Sequence, residues 1–126
     1  MLRKVLIMLA MVPFMALSAH AADTTRVTSS FDARHAGAVL HQVAKLFHGG
    51  FDRTAADKIV RDIDTMKADQ PRTWQFQVQY RESSGPLEIR ALLDDLGMLD
   101  LDFTSYPEAV PAIRAAVDGY LNNHVH

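Results

Sequence analysis

The chain has 126 residues, with 13 Lys and Arg against 15 Asp and Glu, 48% apolar residues and no Cys. That balance argues against a surface that binds nucleic acid or anionic lipid through bulk charge. The lack of Cys excludes disulfides and lipid attachment at an N-terminal Cys, so a small domain of this composition is held by packing alone.

Met1-Leu2-Arg3-Lys4 is a short basic start, Val5 to Leu17 is almost wholly apolar, and Ala19-His20-Ala21 is a small-x-small pattern. Those three features in that order predict a secretory signal peptide over residues 1–21, cut between Ala21 and Ala22. The apolar run is shorter than the roughly 20 residues of a membrane-spanning helix and is interrupted by Pro13, so no membrane anchor is expected. Removing Arg3 and Lys4 leaves 11 basic against 15 acidic residues, a net charge of −4. The remaining 105 residues suit one domain with one core. The expected location is the bacterial periplasm or the extracellular medium.

Ala22 to Phe31 is polar and rich in Thr and Ser, and reads as a flexible leader with at most a short edge strand near Val27. A single α+β domain is then expected over residues 32–126. Its first helix spans about Ala33 to Phe47. Ala36, Val39, Leu40, Val43, Leu46 and Phe47 recur at three- and four-residue steps, with Ser30 or Asp32 as cap and Gly49-Gly50 as stop. The second helix spans about Ala55 to Ala68, with Thr54 and Asp57 spaced as a capping box and Asp57–Arg61 and Lys58–Asp62 at ion-pair spacing.

The period then changes from helical to strict alternation. Trp74, Phe76, Val78 and Tyr80 alternate with Gln75, Gln77, Gln79 and Arg81, which predicts a half-buried strand. Leu87 to Leu93 and Leu99 to Phe103 alternate in the same way, the first preceded by a turn at Glu82-Ser83-Ser84-Gly85-Pro86 and the second by a turn at Asp94-Asp95 with Gly97. Short links between consecutive strands mean a three-stranded antiparallel meander. A last helix, about Glu108 to Leu121, carries Val110, Ile113, Ala116, Val117 and Leu121 on one face, with Ser105 and Glu108 at capping-box spacing. The expected order is α-α-β-β-β-α, in two layers, with all helices packed on one sheet face and the other face wet.

That wet face carries the candidate binding residues: Gln75, Gln77, Gln79, Arg81, Glu88 and Arg90. Amides offer donor and acceptor together, and both charge signs are present, which suits docking of a protein or peptide. A free edge strand offers a second route by strand addition, to a partner or to another copy of the chain. Arg34, His41, Lys45 and His48 form a basic stripe on the first helix, and His35 lies nearby, but no two of these histidines have the spacing of a helical zinc pair. Asp94, Asp95, Asp100 and Asp102 lack the loop order of a calcium site, and His124-Val125-His126 lacks further ligands. No nucleophile elbow or phosphate loop is present. No cofactor and no metal are expected. The sequence favours a non-enzymatic exported interaction domain of the inhibitor, immunity or accessory type. The alternative is a small hydrolase or metal-dependent enzyme using the first-helix histidines with nearby Asp residues.

Overall fold

The computed structural model describes residues 25–125. The expected signal segment, its cleavage point at Ala21 and Ala22, and His126 lie outside them. The described chain runs β1 (Arg26–Asp32), a single 3-10 turn (Ala33–His35), α1 (Ala36–Ala44), α2 (Arg53–Asp64), β2 (Arg72–Tyr80), β3 (Ser83–Leu93), β4 (Met98–Ser105) and α3 (Val110–His124). The strands form one antiparallel sheet in the order β1-β4-β3-β2. Among the described residues, no helix is long and apolar enough to cross a membrane.

The mixed α+β class holds, but the sheet has four strands and not the expected three. The added strand, β1, comes from the segment read as a leader. It pairs with β4 from Arg26↔Thr104 to Asp32↔Met98. Val27 and Phe31 point inward and are buried, opposite Phe103 and Leu99. Two apolar residues among Thr and Ser give a weak alternation. Their burial depends on partners about 70 residues away, which is why local pattern misses them.

Helix boundaries shift for identifiable reasons. Asp32 caps the 3-10 turn, its Oδ1 accepting from the Arg34 amide at 3.0 Å. The cap of α2 is Asp52, not Thr54: Asp52 Oδ1 accepts from the Ala55 amide at 2.9 Å, which starts the helix at Arg53. The expected Ser105–Glu108 capping box does not form, because the Ser105 hydroxyl donates to the Pro86 carbonyl at 2.7 Å. Of the two expected ion pairs on α2, Lys58–Asp62 is present at 3.0 Å, whereas Asp57 turns to His41 on α1.

The turn between β2 and β3 is also shorter than expected. Tyr80 pairs with Ser83, so Ser83 to Pro86 belong to β3 and only Arg81 and Glu82 form the link. Arg81 has φ 55°, the left-handed geometry such a tight hairpin demands. Pro86 is tolerated inside β3 because it lies opposite Gln77 and beyond the last β3–β4 pair, Leu87↔Ser105.

The core lies between the sheet and the helices. Val78, Leu87, Ile89, Leu99, Leu101 and Phe103 from the sheet are buried together with Val39, Leu40 and Val43 of α1, Ile59 and Ile63 of α2, and Ile113 and Val117 of α3. α1 packs against both α2 and α3. Phe51, in the link between α1 and α2, is also fully buried, its ring 4.9 Å from that of Phe76.

Candidate functional site

The alternate positions of all four strands form a face that no helix covers. Reading across the sheet, one register row is Arg26, Thr104, Glu88 and Gln75, and the next is Thr28, Asp102, Arg90 and Thr73. Gln75, Gln77, Gln79 and Arg90 are exposed and Glu88 is half-buried, as the alternation predicts. Gln75 Nε2 donates to Glu88 Oε1 at 3.0 Å, which fixes both side chains across β2 and β3. Gln75, Gln77 and Glu88 also line one shallow depression of about 400 Å³, together with Phe76, Pro86 and Leu87. Arg81 does not join them. It sits in the hairpin turn, with its guanidinium 5.2 Å from the centre of the Tyr80 ring.

Asp102 is the residue on this face that the sequence did not single out as a binding group. It is buried, with its Oδ2 paired to Arg26 Nη2 at 2.8 Å. Its Oδ1 is buried and has no hydrogen-bond partner. Arg90 lies opposite it in register, yet the ion pair of Asp102 goes to Arg26. The middle of the face therefore holds a carboxylate with one oxygen satisfied and one not, flanked by two arginines. Leu92 is half-buried on the same side, opposite Asp100.

No known family matches this chain. Comparison with family models, with curated proteins and with solved structures returned no match in any of the three.

The first-helix histidines separate from one another. His35 bonds the Tyr120 hydroxyl through Nδ1 at 3.0 Å, tying the start of α1 to α3. His41 Nε2 lies 2.6 Å from Asp57 Oδ1. His48 is exposed at the end of the turn after α1, where its backbone amide bonds the Gln79 carbonyl at 2.9 Å. The His41–Asp57 pair borders an open cavity of about 440 Å³ lined by His41, Gln42, Lys45, Asp52 and Arg53 with Ala38 and Ala44. Among the described residues, no group of three or more His, Asp or Glu could hold a metal ion. Asp94 serves its own turn, accepting from the Leu96 and Met98 amides at 2.8 and 2.9 Å. His124 stacks on Tyr120, with ring centres 4.3 Å apart.

One titrating group has a clear displacement. The Asp62 carboxyl is held below the usual carboxylate range by hydrogen bonds from Lys58 and then from the Trp74 indole, which donates to Asp62 Oδ2 at 3.0 Å. This contact pins the half-buried Trp74, at the free edge of the sheet, to α2.

Proposed function

We propose that the protein is an exported, non-enzymatic interaction domain that docks another protein or a peptide on the uncovered sheet face. The observation that carries this reading is the depression over β2 and β3, where three residues singled out from sequence, Gln75, Gln77 and Glu88, converge. A flat, rigid surface built on strands presents fixed donors and acceptors at little entropic cost on binding. The Gln75–Glu88 bond pre-orients two of them. Arg90 beside Asp102 supplies a cation that can turn toward a partner carboxylate while Arg26 holds Asp102. Export is supported by the basic start and apolar run of the first 21 residues, and the periplasm or the medium is the compartment in which the partner is to be sought.

The test is a Gln77→Glu/Arg90→Ala double variant, which changes the face and leaves the core intact. Wild-type protein is used to capture a partner from periplasmic extract, and the variant is then measured against that purified partner. Loss of binding by tenfold or more is expected. Unchanged affinity removes the sheet face as the docking surface.

A second reading, a small hydrolase, has the His41–Asp57 pair at the rim of the cavity in its favour. A carboxylate that orients an imidazole is half of a general-base arrangement. No Ser lines that cavity. Turnover of any substrate in a broad ester and amide screen that is lost in His41→Ala would favour the enzyme over the docking domain.

A further inference from the structure

The edge of β2 is open over a defined length, and that length matches itself. Gln79 directs both of its main-chain groups away from β3: its amide bonds the Gly49 carbonyl at 3.1 Å and its carbonyl accepts from the His48 amide at 2.9 Å. Backbone groups alternate in direction along a strand, so Gln77, Gln75 and Thr73 point theirs outward too. The 48–50 segment closes this edge at its Gln79 end. Gly50, at φ 92°, presses so close that a Cβ there would collide with the Gln77 carbonyl. At the other end the chain leaves the edge at Asp69, whose φ of 64° and amide bond to the Leu93 carbonyl at 2.7 Å turn it toward β3. The free stretch therefore runs from Pro71 to the Gln77 amide, and its midpoint is Trp74.

We propose that this edge pairs with the same edge of a second copy of the chain, antiparallel about a two-fold axis at Trp74, to give one continuous eight-stranded sheet. The register follows from the bounds. Thr73 lies opposite the partner's Gln75 and exchanges two hydrogen bonds with it, and Gln75 does the same with the partner's Thr73. The Gln77 amide meets the partner's Pro71 carbonyl. Pro71 has no amide to offer in return, and the Gln77 carbonyl is covered by Gly50. About six main-chain hydrogen bonds form in all.

Charge selects the same occupant. Within the free stretch, Thr73 to Gln77 contains no charged residue, no Pro and no Gly, and Pro71 and Arg72 stand at its far end. Sheet edges that stay unpaired are guarded by Lys, Pro or bulges, and between Thr73 and Gln77 this one has none of them. A basic strand finds no complement here and an acidic one finds only Arg72 at the end, whereas an uncharged strand loses nothing. Symmetry also places Trp74 beside Trp74 of the second copy, two rings on the helix side of the sheet. This inference rests on the strand edge and is independent of the docking reading of the open face. The two open faces become one surface when the edges join.

The lack of Cys in the chain allows a direct test. Sedimentation of the purified protein across a range of concentrations is expected to show a monomer–dimer equilibrium. Residues exchanging two hydrogen bonds across antiparallel strands have Cα atoms about 5.5 Å apart, within disulfide range. Oxidising a mixture of Thr73→Cys and Gln75→Cys chains is therefore expected to yield the mixed dimer well ahead of either homodimer. Gln75→Pro removes an outward amide that β3 does not use, and is expected to sediment as a monomer. Should Gln75→Pro disturb folding, Thr73→Lys/Gln75→Lys keeps the backbone and sets like charges opposite one another across the axis. It is expected to weaken dimerisation at least tenfold, and more at low salt. A monomer at every concentration, a dimer untouched by Thr73→Lys/Gln75→Lys, or Gln75→Cys linking to itself ahead of the mixed pair overturns the proposal.

Discussion

β1 and β2 both end the sheet, but only β1 carries charge at both of its ends and has a strand carbonyl held by a helix side chain. Arg26 is paired with Asp102, and its carbonyl accepts from Arg114 Nη2 of α3 at 2.9 Å. Asp32, at the far end, caps the turn into α1. β2 has its one charge, Arg72, at one end, and a cover over its edge backbone at the other, where residues 48–50 cross Gln77 and Gln79. The difference teaches where association is blocked and where it is left open. Charge and a helix contact guard one edge, and a short strap bounds the other without closing it.

The strap can be broken from beneath. Phe51 is its anchor, fully buried and packed on Phe76. Phe51→Ala is expected to cost about 3–5 kcal/mol in chemical denaturation, the usual range for a buried Phe. Before global unfolding, it should also speed hydrogen exchange at the His48 and Gln79 amides, which bridge strap and strand. Equal protection of those two amides in the variant and the wild type would separate the strap from its anchor. Gly50→Ala acts on the same strap from above. Its φ of 92° disfavours any side chain, and the new Cβ would press on the Gln77 carbonyl. A loss of about 1–3 kcal/mol is expected, with a longer open edge and stronger self-association by sedimentation.

The contrast between the edges was only half visible in the sequence. β2, β3 and β4 alternate so regularly that their pairing and their wet face follow from period alone, and Gln75, Gln77, Glu88 and Arg90 lie where that period puts them. β1 does not stand out, since Val27 and Phe31 acquire their meaning from Phe103 and Leu99 at the other end of the chain. The half-satisfied burial of Asp102 is invisible for the same reason, because Arg26 reaches it only once β1 is in the sheet. Phe51 sits between glycines and Asp52, where no period exists to announce a core residue. Arg81 continues the alternation on paper but falls in a two-residue turn, whose left-handed backbone takes it off the strand. His41 and Asp57 lie on different helices, so their contact depends on helix packing that residue spacing does not encode.

A smaller effect separates the inner side of the β2 edge from its outer side. Trp74 donates to Asp62, whose carboxyl is held low chiefly by the Lys58 hydrogen bond and next by this one. A depressed carboxyl contributes stability that is present above its unfolded value, near pH 4, and is lost as the pH falls through the folded value. Trp74→Phe keeps a ring on the helix side and deletes the donor. It should raise the Asp62 pKa toward the ordinary carboxylate value, followed by NMR titration of the side-chain carboxyl. The electrostatic loss is expected to be about 1 kcal/mol or less at pH 6 and to shrink as the pH falls through the folded value. An Asp62 titration identical in the two proteins would mean that Lys58 and the Arg72 charge hold the carboxyl down without the indole.

The smallest expected effect is on the guarded edge. Arg114→Ala removes the hydrogen bond to the Arg26 carbonyl and should cost less than about 1 kcal/mol, since the side chain lies at the surface. Its value lies in association and not in stability. If charge is what keeps β1 unpaired, the variant stays as it was by sedimentation, because Arg26 and Asp32 still flank the strand. If the contact with α3 is the guard, new higher oligomers appear, built through β1 edges, and they persist when Thr73→Lys/Gln75→Lys is added to block β2. The two outcomes assign the protection of β1 to its charges or to its helix.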